Sequence, residues 1–235
     1  MKVTGMNSAD LVSALYDNTT NSRDKNKDSN SIENLLSSNM SANNPVMAKL
    51  ARKAENKDYY KKALSAADQT NELLHKLNDA KKSVFVKAAD TEDEQKREEY
   101  QTEAVQDIAG LLNSYNTMIS NLMEAGGGTN KNFLNELNQL MKDYDKELSA
   151  FGITGKEDGT LALDAEMLAG AEIDALAQVF GPDGDFSQKL TEKMDAIVQK
   201  TATTVDTLQI YSTAYSNSGS YSQYDYLKGI YDLKA

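Results

Sequence analysis

Apolar residues in this chain recur mostly three and four positions apart, with one short exception. The clearest run is Val105, Ile108, Leu112, Tyr115, Ile119 and Leu122, whose steps of three and four alternate strictly. That heptad seam predicts a helix that needs a partner helix along its length. Thr91 is its expected N-cap, with Glu94 as the capping-box partner. The three glycines at 126–128 are the expected stop, because glycine takes the left-handed closing conformation at no steric cost.

The same period predicts further helices on either side. Asn44-Pro45 reads as an N-cap and first helical residue. From Val46 to about Lys87 there is no Gly or Pro. Leu50, Leu64, Leu73, Leu74, Leu77 and Val84 form a thin apolar face there, with Tyr59, Tyr60, Ala67 and Ala80 along it. A third helix is predicted from about Asn132 to Ala150, with Phe133, Leu137, Leu140, Met141, Tyr144 and Leu148 on one face. Asp164 is the expected cap of a fourth that Gly181-Pro182 ends near Phe180. Asp185–Gln188 reads as a capping box before a last helix to about Tyr215, with Leu190, Met194, Ile197, Thr201, Val205, Leu208 and Tyr215 at mainly heptad intervals.

The exception is Phe151–Leu163, "FGITGKEDGTLAL". Phe151 and Ile153 alternate before a turn signal at Asp158-Gly159, and Leu161 and Leu163 alternate after it. This predicts a hairpin with a loop longer than two residues. The expected fold class is therefore mainly α: an elongated antiparallel helical bundle or coiled coil with one small β-hairpin at about 151–163.

The ends of the chain lack this order. Residues 1–44 are rich in Asn, Ser, Asp and Lys and are expected to be disordered or weakly helical. Leu11, Val12 and Leu15 form one short amphipathic piece there, and Ile32, Leu35 and Leu36 another. Both are too short to be helical alone, so they would form on docking. The helical bundle with its hairpin is expected over 45–216, followed by a Tyr-rich tail over 217–235. Tyr221, Tyr224, Tyr226 and Tyr231 in that tail suit a docking role, since tyrosine offers large contact area with a polar handle. The surface they meet is either this bundle or a neighbouring subunit.

Charge narrows the partners. A net charge of -11 repels phosphate backbones and argues against nucleic acid. No apolar run approaches the ~20 residues of a membrane-spanning helix, so no membrane insertion is expected. The first residues lack the basic-then-apolar layout of a cleaved secretory signal. There is no cysteine, which removes disulfides, thiol nucleophiles and thiolate metal sites.

Candidate chemistry is sparse. His75, the one histidine, has Glu72 and Asp79 nearby but no second histidine or cysteine, so a surface role outweighs a metal or catalytic one. The stretches "KEDGT" and "GPDGDF" place acids beside glycine but lack the twelve-position ligand layout of an EF-hand. The triple glycine lacks the Lys-Ser/Thr of a phosphate-binding loop. No catalytic constellation emerges, and no enzyme activity, cofactor or metal is expected.

Three segments together carry a family resemblance. "FGITGKEDGTLALDAEML" presents Gly152-Ile153, then Asp158-Gly159-Thr160-Leu161, then Leu163-Asp164 before a helix start. Downstream, "VFGPDGDFSQKLTEKMDAIV" holds a Phe-Gly pair before a long helix. Upstream, "VQDIAGLLNSYNTMISNL" holds Tyr115-Asn116. In this order they resemble the C-terminal region of the bacterial flagellar filament-capping proteins, the hook-associated protein 2 family, over about Val105 to Thr207. Leu11-Val12 and Leu15 are faintly similar to that family's N-terminal start. Family members usually carry a large, mostly β region before the C-terminal part. Here residues 46–87 lead almost directly into the Tyr-Asn helix, and a counterpart of that region is missing.

The resemblance implies a non-enzymatic structural protein of the bacterial flagellum, a reduced filament-cap-like protein at the filament tip or junction. It implies export without a cleaved signal, an extracellular location, and assembly with copies of itself and with flagellin or other hook-associated proteins. The alternative is a secreted or surface adhesin or other interaction protein that kept the fold and lost the cap role. A third and weaker reading is an intracellular coiled-coil or export-chaperone-like module.

Overall fold

The computed structural model describes residues 45–213, and the side chains of 56–208. Over that span the chain is mainly α-helical with one two-stranded antiparallel sheet. The helices are α1 (Pro45–Asn78), α2 (Val84–Ala89), α3 (Glu94–Ala125), α4 (Gly128–Asp143) and α5 (Asp145–Ser149). After the strands β1 (Ile153–Gly155) and β2 (Leu161–Leu163) come α6 (Ala165–Ala169), α7 (Ile173–Phe180) and α8 (Asp185–Thr213).

The heptad seam of α3 is the centre of the core. All six of its predicted residues, Val105 to Leu122, are buried, and Ala104, Ala109, Leu111 and Met118 widen the stripe. The helix ends where expected: Gly126 has φ 65°, and its N–H donates to the carbonyls of Leu122 and Met123. The start differs. Asp93, not Thr91, is the N-cap, its carboxylate accepting from the N–H groups of Gln95 and Lys96. Thr91 accepts instead from the Asp93 N–H at 3.3 Å, one step before the helix.

The helix predicted from Val46 to about Lys87 is two helices. At the break the Asp79 carboxylate accepts from the N–H groups of Lys81 (2.8 Å) and Lys82 (3.0 Å). Such a local side-chain bond offers the backbone an alternative to the helical ladder. Ser83 then caps α2 through Val86 N–H, and the restart directs Val84, Phe85 and Ala88 into the core. On α1 the buried stripe is Ala63, Ala66, Ala67, Thr70, Leu74 and Leu77. Leu64 and Leu73 are only half-buried, and Ala80 is exposed in the turn. Small residues on this stripe suit a close approach to α3.

Three other predicted boundaries shift. The helix expected over 132–150 begins at Gly128 and is interrupted at Tyr144. Asn130 secures the early start, its amide N–H donating to the carbonyls of Gly126 (2.7 Å) and Leu122 (3.2 Å). At the interruption the Tyr144 ring packs against Phe186, with centroids 5.3 Å apart. The helix capped by Asp164 stops at Gly170, and α7 begins afresh at Ile173. At the start of α8, Asp185 lies inside the helix rather than capping it. Its carboxylate is taken by Lys189 and Tyr144, while Ser187 Oγ donates back to the carbonyls of Gly181 and Gly184.

Cross-links fix the arrangement. Thr70 meets Ser114 and Tyr60 meets Gly126, so α1 and α3 are antiparallel. Asn78 meets Thr191 and Asn71 meets Asp195, so α1 and α8 are antiparallel too. The shorter α4 touches both α3 and α8, closing a four-helix section opposite α1. With Tyr60 beside Gly126, the first fifteen residues of α1 lie beyond the end of α3. At the α-helical rise that overhang is about 22 Å.

Candidate functional site

The hairpin and the surface of α3 beneath it bring together the hairpin residues and the Tyr115-Asn116 pair singled out by the sequence. The two strands pair antiparallel, with Ile153 opposite Leu163, Thr154 opposite Ala162 and Gly155 opposite Leu161. Beyond the strand ends, Asp164 N–H donates to Gly152 O and Lys156 N–H to Thr160 O, both at 2.8 Å. In an antiparallel ladder, hydrogen-bonded and non-hydrogen-bonded pairs alternate. The 155–161 pair is therefore of the second kind, and the backbone groups of Leu161 point away from β1.

Asn116 meets those groups. Its side-chain N–H donates to Leu161 O at 2.8 Å, and its side-chain oxygen accepts from Leu161 N–H at 2.7 Å. One amide thus closes the edge of β2 as a neighbouring strand would. Asn116 is well placed for this because Tyr115, one residue before it, sits in the buried seam. The Tyr115 hydroxyl donates to Gly159 O at 3.3 Å, so consecutive residues of α3 hold consecutive parts of the hairpin. Tyr115 is fully buried, and burial pushes its phenol above the usual range.

The turn is built locally. Asp158 accepts from Thr160 N–H at 3.0 Å, and Gly159 N–H donates to Lys156 O at 3.0 Å. Gly159 has φ 80°, a conformation that disfavours a side chain. A Cβ there would also come within 3.0 Å of Asn138 Oδ1 on α4. The tip is therefore fitted between α3 and α4.

Each predicted hairpin residue can be placed. Ile153 and Leu161 are buried on one face, and Leu163 is half-buried. Phe151 is buried but precedes β1, within the turn that leaves α5. Its ring lies 6.3 Å from that of Phe180 at the end of α7, and Phe180 makes an edge-on contact with Phe186 at 5.7 Å. Asp158 and Gly159 form the turn. Leu11, Val12, Leu15, Tyr221, Tyr224, Tyr226 and Tyr231 lie outside the described residues.

The polar groups of this site are spent on backbone partners rather than directed at a cavity. His75 is exposed on α1. Among the described residues no group of three or more His, Asp or Glu is placed to hold a metal ion, and no helix is long and apolar enough to cross a membrane. Sequence reasoning did not assign the clamp to Asn116 or the aromatic contact to Phe180. The signal available for Asn116 was a poor helix former placed mid-helix, directly after a seam tyrosine.

A scan against protein-family models and searches of curated proteins and of solved structures return no match to this chain.

Proposed function

We propose that this chain is a non-enzymatic structural protein of the bacterial flagellum, a reduced relative of the filament-capping proteins that assembles at the filament tip or junction. One observation supports this reading above others. The hairpin segment touches both of the other two segments that resemble that family. Tyr115 and Asn116 hold Gly159 and Leu161, and Phe151 of the hairpin segment meets Phe180 of the Phe-Gly segment. Motif residues up to 65 positions apart, from Tyr115 to Phe180, thus form one structural unit. Packing of these segments against one another is what a shared fold would require.

In this reading the helices are a rigid stem and the clamped hairpin braces its side. Copies of the chain, flagellin or hook-associated proteins are the partners, and the protein reaches the outside without a cleaved signal. The test is deletion of the gene, followed by electron microscopy of filaments and assay of the medium for unassembled flagellin. Short or absent filaments with flagellin in the medium are expected. Normal filaments overturn the proposal, and release of the protein independently of flagellar export favours the adhesin alternative.

A further inference from the structure

We draw no further inference here: the strongest candidate, the open groove between α1 and α3 lined by Gln69, Glu72, Leu73, Gly110 and Thr117, has an unpartnered outer face, and nothing in the structure shows what covers it.

Discussion

Asn116 and Leu161, 45 residues apart, are joined by two hydrogen bonds that run from one side-chain amide to both backbone groups of a single strand residue. Leu161 is only 2% exposed, so water does not readily replace the amide. Asn116→Ala is expected to lower unfolding free energy by about 2–4 kcal/mol, since it strands a buried donor and a buried acceptor. Chemical denaturation measures the loss. Amide exchange should quicken most at residues 152–164, and a variant with wild-type stability and unchanged exchange there would contradict the clamp.

The neighbouring Tyr115 predicts a pH dependence. Its folded phenol is held above the usual range by burial, whereas an unfolded tyrosine ionises near pH ~10. The stabilisation is fully present below that unfolded value. Above it the unfolded state binds fewer protons, so stability falls as pH rises toward the folded value. Tyr115→Phe should cost about 1 kcal/mol at neutral pH from the lost bond to Gly159. It should also flatten the alkaline decline by up to about 1.4 kcal/mol per pH unit, read as the difference between variant and wild type in denaturation curves above pH ~10.

Between α1 and α3 the buried Thr70 hydroxyl shares its proton between Ser114 Oγ and Ala66 O, each at 2.8 Å, and Ser114 donates onward to Leu111 O at 3.0 Å. Thr70→Val leaves Ser114 without its incoming bond inside the core. The expected cost is about 1–3 kcal/mol. Adding Ser114→Ala should cost less than the two single changes summed, because the second change removes the stranded group. Strict additivity in the double-mutant cycle would show that the two hydroxyls do not act together.

Phe180 joins the hairpin to the start of α8. It is fully buried, with the rings of Phe151 and Phe186 on either side. Phe180→Ala should destabilise by about 3–5 kcal/mol, the range for emptying a packed aromatic site. Phe180→Leu should recover a substantial part of that stability by refilling volume without the ring contacts. Equal losses in both would mean that ring geometry, not volume, holds this corner.

Periodic features of the fold were readable in the sequence, and features set by single polar atoms were not. The α3 seam repeats over five steps, and each repeat reinforces the same face. Gly126 and Asp164 also act as expected, because capping depends on residues within one turn. The break at Asp79 has no signature in the pattern, since no Gly or Pro marks it and the competing bond comes from a carboxylate equally at home on a helix surface. Thr91 and Asp93 are both good caps two residues apart, and pattern alone does not rank them. The hairpin was readable as a hairpin, but its seat was not. A side chain that stands in for a strand 45 residues away leaves no local period to detect.

The antiparallel pairing of α1 with α8 has a mechanical consequence. The described chain enters at Pro45 and leaves at Thr213 on the same end of the bundle. Tension applied across those two points would peel α1 from α8 as a zipper, with contacts loaded one after another from the overhang inward. Tension borne along the α3–α1 pair instead would meet the whole seam in shear. Drawing the two ends of the described chain apart therefore loads the bundle in its more compliant direction.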